Sequence, residues 1–159
     1  MLFGPNQTIA EFYPHDRETA PLPSSVPDGI VAEYREADLC ASVGAYRAAS
    51  ALLRSALEKT LRHNGYQERQ VRLQQRIDLA ANDHILTAAR QRRAHENVRD
   101  PGNDILHDDW RAVDQVEYAS AHLYVQRILE DFYDHRQEVE VLLTKAGRLK
   151  PPIQPPPNP

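Results

Sequence analysis

Between residues 45 and 64 the apolar side chains Ala45, Ala49, Leu52, Leu53, Ala56, Leu57 and Leu61 recur at steps of three and four. Arg47, Arg54, Glu58 and Arg62 fall beside or opposite them. That period follows the 3.6-residue turn of an α-helix with one buried stripe, and it predicts a helix over 45–64. The same reading predicts helices over 30–43, 71–80 and 84–97, the last with Asp83 as its N-cap. After Pro101-Gly102 a long helix is predicted over 114–143, with Ala121, Val125, Ile128, Phe132, Val139 and Leu142 as its buried stripe. Alternating apolar and polar runs are nearly absent, and no turn dipeptide joins two of them, so strands are not expected. The predicted fold is an all-α bundle of about five helices in which the second and the last form a long antiparallel pair.

Proline marks the organisation. Of 12 prolines, five lie at or before Pro27, six at or after Pro151, and only Pro101 interrupts the stretch between. Proline lacks the N–H that a helix interior needs and clashes with the preceding turn, so a proline-poor interior reads as the helical body. The expected division is an irregular lead-in over 1–27, a helical domain over 28–147 and a proline-rich tail over 148–159. The tail has the composition of a polyproline II segment, either a solvated terminus or a ligand of an SH3-like domain. Gly29, Gly44, Gly65, Gly102 and Gly147 stand where the apolar period starts or stops, as candidate helix boundaries.

Composition excludes several classes. With 41% hydrophobic residues and 26% charged, the chain reads as one globular domain. No run approaches the roughly 20 apolar residues of a membrane span, and the N-terminus lacks the basic start and apolar stretch of a secretory signal, so no membrane and a cytoplasmic location are expected. The single cysteine, Cys40, can form no internal disulfide and cannot alone anchor a zinc site, and it reads as a small core residue. No nucleotide-binding glycine loop or nucleophile elbow is present. The histidines offer no pair at the four-residue spacing of a helical metal site, so neither metal nor cofactor is expected.

The net charge of −4 hides a strong segregation. Residues 1–45 carry 2 basic and 7 acidic side chains, 46–99 carry 11 and 5, 100–146 carry 4 and 11, and 147–159 carry 2 and 0. A basic middle flanked by acidic neighbours implies charge complementarity within the chain or between two copies, as readily as a nucleic-acid footprint. Arg90, Arg92 and Arg93 form the basic cluster that could contact RNA or DNA phosphates, or be a solvated or internally paired face.

Chemistry, if any, would gather at Arg99, Asn103 and His107, spaced four and four around the Pro101 break. Asn103 and His107 would share a helix face. A helix starting there would offer its free N–H groups to an anion. The alternative is architectural: Asn103 capping the helix, His107 donating to a carbonyl, and Arg99 pairing with Glu58 or Asp104. Arg54 and Glu58, four apart, pose the same choice between a supporting role and a salt-bridged pair.

These residues carry a resemblance. Tyr13-Pro14, the prolines from Pro23 to Pro27, the run from Tyr34 to Ala37, the run from Leu53 to Glu58, the short helix around Leu73 to Leu79, Val98-Arg99, Gly102-Asn103 and His107 recur in order and spacing. Over residues 13–145 the chain resembles the family called domain of unknown function 4145. The resemblance implies a helical bundle similar to the HEPN superfamily, dimerisation, and association with bacterial or phage defence proteins. Active HEPN members are metal-independent ribonucleases with an arginine and a histidine four to six residues apart, whereas seven residues separate Arg99 from His107 here. Cleaving RNA without metal needs a base, an acid and a cation, which a dimer pairing two copies of Arg99 and His107 would supply. The expected function is therefore a non-catalytic interaction and dimerisation module of a defence or regulatory system, acting as a homodimer or with another protein of that system. The alternatives are a metal-independent endoribonuclease or toxin built on Arg99, Asn103 and His107, and an RNA- or DNA-binding accessory.

Overall fold

The computed structural model describes residues 21–94 and 112–150, and within them it is all helix and connection. Among the described residues there are six helices: α1 (Asp28–Ser42), α2 (Tyr46–His63), α3 (Leu73–Asn82), α4 (Ala88–Ala94), α5 (Gln115–Tyr133) and α6 (Arg136–Lys145). The protein is an all-α bundle, and no strand occurs among the described residues.

Glycine closes three of these helices. After α1, α2 and α6 the chain takes a left-handed residue, Gly44, Gly65 and Gly147 respectively, and the two following N–H groups return to the last turn. Gly65, for example, donates to Arg62 O at 3.1 Å and Tyr66 to Leu61 O at 3.1 Å, which satisfies carbonyls the helix end would strand. The fourth closure was invisible as such. α3 ends the same way on His84, a non-glycine residue with φ 63°, and Asp83 is its C-cap. The predicted N-cap role of Asp83 is thus corrected, since its carboxylate is occupied by Tyr66 Oη at 3.0 Å and Arg148 Nε at 2.8 Å. α4 starts later than predicted, at Ala88, where Thr87 Oγ1 accepts from the Arg90 N–H at 3.3 Å. α5 begins where expected, on a capping box in which the Asp114 carboxylate accepts from Glu117 N at 2.8 Å.

The predicted helix over 114–143 is two helices, broken at Asp134-His135 without proline or glycine. Two freed carbonyls explain the break: Tyr133 O accepts from Ser25 Oγ at 2.6 Å, and Phe132 O from Arg136 Nη1 at 3.4 Å. Side chains inserted into the backbone ladder kink a helix. The break rephases the apolar stripe, so Leu143 is fully buried and the predicted Leu142 is 38% exposed.

Helix directions also depart from expectation. Lys59 of α2 pairs with Glu33 of α1 at 3.0 Å, and Tyr34 and Asp38 of α1 meet His122 and Tyr118 of α5, so α1 runs antiparallel to both. α5 therefore lies parallel to α2: Tyr46 stacks near Tyr118 at one end, and His63 meets Tyr133 at the other. The expected antiparallel pairing of the second and last long helices is corrected: α5 begins at the end of the bundle where α2 begins, so the two run parallel. The core lies between α1, α2 and α5, filled by Tyr34, Leu53, Leu57, Leu61, Val125, Ile128, Leu129 and Phe132, none with measurable exposure. Burying side chains of this size contributes about 1.5–3 kcal/mol each, before chain entropy offsets most of the sum.

Candidate functional site

Arg99, Asn103 and His107 lie outside the described residues. Arg54 and Glu58 form no salt bridge with each other. Glu58 Oε1 instead accepts from Arg62 Nη2 at 2.8 Å and from Arg76 Nη1 at 2.9 Å. Burial works to raise the Glu58 carboxyl, but the two guanidiniums outweigh it and hold it below the usual carboxylate range. Arg54 is half-buried, and burial lowers its pKa against the attraction of Glu58. Arg76, from α3, is the buried cation that sequence spacing could not supply: its Nη2 donates to Glu68 O at 2.9 Å.

Of the basic cluster, Arg90 is committed within the fold. Its Nη1 donates to Arg127 O at 2.7 Å and meets Asp131 Oδ2 at 2.8 Å, while its own carbonyl accepts from Tyr124 Oη at 2.7 Å. It ties α4 to α5, as the internally paired alternative for this cluster has it. Arg92 and Arg93 are exposed. The basic middle thus finds part of its countercharge inside the chain, through Lys59–Glu33 and Arg90–Asp131. Asp131 is pushed up to about 6, first by burial and then by Glu130 and Asp134, which oppose the pull of Arg90.

Two polar clusters, neither assembled in advance from sequence, sit at opposite ends of the bundle. The first joins α1 to α5. His122 Nε2 and Asp38 Oδ1 lie 2.7 Å apart, His122 Nδ1 faces Tyr34 Oη at 3.3 Å, and Tyr118 Oη donates to Asp38 Oδ1 at 3.3 Å. Arg35 Nη1 completes the carboxylate at 3.2 Å. Burial would raise Asp38, but the bonds from His122 and Arg35 hold it below the usual range. Both imidazole nitrogens are spoken for, and Tyr34 beneath them is fully buried, its phenol pushed up by burial and by Asp38. Through these contacts the dyad ties α1 to α5.

The second cluster joins α2, α5 and α6 around Asn64, which has no exposure. Asn64 Nδ2 donates to Thr60 O at 2.8 Å and to Tyr133 Oη at 3.2 Å, and its Oδ1 accepts from Arg136 Nη1. His63 Nδ1 lies 2.9 Å from Tyr133 Oη, and the Arg136 guanidinium stands over the Tyr133 ring, 5.2 Å from its centroid. Arg136 Nε donates to Glu140 at 2.9 Å. Beside this cluster runs a groove of about 660 Å³ along α6. Asn64-Gly65 had signalled only a helix end, since partners some seventy positions away leave no local trace.

The apolar surface is the other feature. Leu39 of α1 (63% exposed) and the α1 C-cap Val43 (47%) lie four apart, and Val116 (74%) and Leu123 (49%) lie seven apart on α5. Each spacing places its pair on one helix side. A groove of about 560 Å³ lined by Tyr46, Ala48, Ala51 and Val113 opens at the same end of the bundle as Val43 and Val116. Among the described residues no group of His, Cys, Asp and Glu could hold a metal ion, and no helix is long and apolar enough to cross a membrane.

Fold and surface together define an all-α bundle whose polar residues mostly lock helices and whose outer α1 and α5 faces carry exposed apolar pairs. The chain belongs to the family described as domain of unknown function (DUF4145), whose model matches residues 35–151. Neither a curated protein nor a solved structure matches it.

Proposed function

We propose that this domain is a non-catalytic helical interaction module that self-associates as a homodimer. The observation that carries the reading is the exposed apolar pairs Leu39 with Val43 and Val116 with Leu123, on two helices held side by side by the Asp38–His122 dyad. A second copy is the partner assigned to this face, because a symmetric dimer presents the same patch twice and covers it at once. The shared apolar groove at Tyr46 and Val113 offers each copy a socket for a side chain of the other. The setting assigned to the module, a cytoplasmic bacterial or phage defence or regulatory system in which it also meets a protein partner, and its kinship to HEPN bundles, come from the family resemblance.

The test combines mass and activity. Light scattering should give a dimer mass, and incubation with mixed RNA in EDTA should leave the RNA intact. Cleavage that disappears in a folded His107→Ala variant overturns the reading and makes Arg99, Asn103 and His107 a metal-independent ribonuclease site. A second reading, an RNA- or DNA-binding accessory, is favoured by the exposure of Arg92 and Arg93. It requires an affinity that falls steeply with salt, with a shallower slope when both are replaced.

A further inference from the structure

We infer that the groove along α6 binds a small phosphate monoester carried on an apolar or aromatic body, with His63, Arg136, Lys145 and Lys150 receiving the phosphoryl group. This site lies at the other end of the bundle from Tyr46 and Val113 and does not depend on self-association.

The volume comes first: about 660 Å³ falls within the range of small-molecule pockets. Its wall is built rather than incidental. Asn64 gives both amide protons away, to Thr60 O and Tyr133 Oη, and so presents its oxygen to Arg136. Tyr133 Oη, which accepts from Asn64, lies 2.9 Å from His63 Nδ1. That contact occupies one ring nitrogen of an exposed imidazole that lines the groove. Burial and the charge of Arg136 lower the His63 pKa, and an anion in the groove would oppose that shift. Arg136 is held by Asn64, Glu140 and the Tyr133 ring, and among the described residues its Nη2 makes no hydrogen bond. A guanidinium fixed in this way recognises an oxyanion at little entropic cost.

Charge sets the sign of the ligand. Among the described residues, Arg136, Lys145 and Lys150 line the groove with Glu140 as the one acid, a formal +2 there on a chain of net −4. Three cations suit a phosphoryl dianion better than a monoanionic carboxylate. Val141 and Leu149 supply the apolar floor, which inorganic phosphate would not use and a phenyl or base ring would.

The experiment is NMR titration of the full chain with phenyl phosphate, with inorganic phosphate as the comparison arm, following the His63 ring signals. Binding of phenyl phosphate should shift them, raise the His63 pKa and be tighter than inorganic phosphate. Lys150→Ala, an exposed change that spares the fold, should weaken binding about two- to fivefold, and Glu140→Gln should tighten it by a similar factor. Equal affinity for the two probes assigns an adventitious ion only and overturns the proposal. So does an absence of saturable His63 shifts, or binding indifferent to both variants.

Discussion

Replacing Asn64 with alanine removes more from this fold than its size suggests. The side chain is fully buried, donates two hydrogen bonds and accepts a third from a guanidinium. Neutral hydrogen bonds contribute about 1 kcal/mol each and those to charged groups about 1.5–3. Arg136 keeps Glu140 and Phe132 O, and Tyr133 keeps His63, which returns part of the sum and leaves a loss of about 3 kcal/mol. At about 2–4 °C per kcal/mol for a chain of this length, Tm falls by about 6–12 °C. The backbone of residue 64 has φ −94°, which alanine adopts freely, so the loss belongs to the amide. Thermal and urea denaturation followed by circular dichroism measure it, and a double-mutant cycle with Arg136→Met should show coupling of about 1.5 kcal/mol or more. Asn64→Ala within about 1 kcal/mol of the parent, or coupling near zero, would refute the picture of one connected network.

Gly65→Ala should destabilise the protein by about 2 kcal/mol or more, read as a lowered urea midpoint. The residue sits at φ 92° and a Cβ there would run into the Arg148 backbone. Asp131→Asn should make the protein more stable at pH 7 while leaving it nearly unchanged at pH 4. The folded carboxyl titrates near 6 against an ordinary 3.8, so this group favours the fold at low pH and turns against it as pH rises through 6. Discounted for solvent screening, the gain is on the order of 1 kcal/mol. Asp38→Asn has the opposite sign, because a depressed carboxyl gives stability that is present at neutral pH and lost as pH falls through its folded value. Denaturation midpoints measured across pH 3–8 would separate the two.

What could be read in advance follows the physics of each signal. The α2 stripe was legible because Ala49, Leu53, Ala56, Leu57 and Leu61 repeat a local period and all are buried. Helix ends at Gly44, Gly65 and Gly147 were legible because a left-handed residue favours glycine, and the end at His84 was missed for the same reason. The break between α5 and α6 depends on Ser25, more than a hundred positions away, and no local pattern carries such a contact. Both polar clusters are of that kind: Asp38 meets His122, and Asn64 meets Tyr133 and Arg136, only after the helices pack. Arg54 and Glu58 show the converse, a plausible local pair displaced by Arg76 arriving from α3.

Sedimentation equilibrium of the intact chain, beside Leu39→Ala, Leu123→Ala and a Val141→Ala control, tests the central claim most directly. Leu39 is 63% exposed, and burying that remainder is worth about 1–2 kcal/mol in each copy. Two-fold symmetry counts the change twice, so Leu39→Ala should weaken the dimer by about 30-fold or more. Val141 is equally apolar and 54% exposed, but it lines the α6 groove and should leave the constant unchanged. A monomer across the accessible concentration range, or a dimer that responds to Val141 and not to Leu39 or Leu123, would contradict the account.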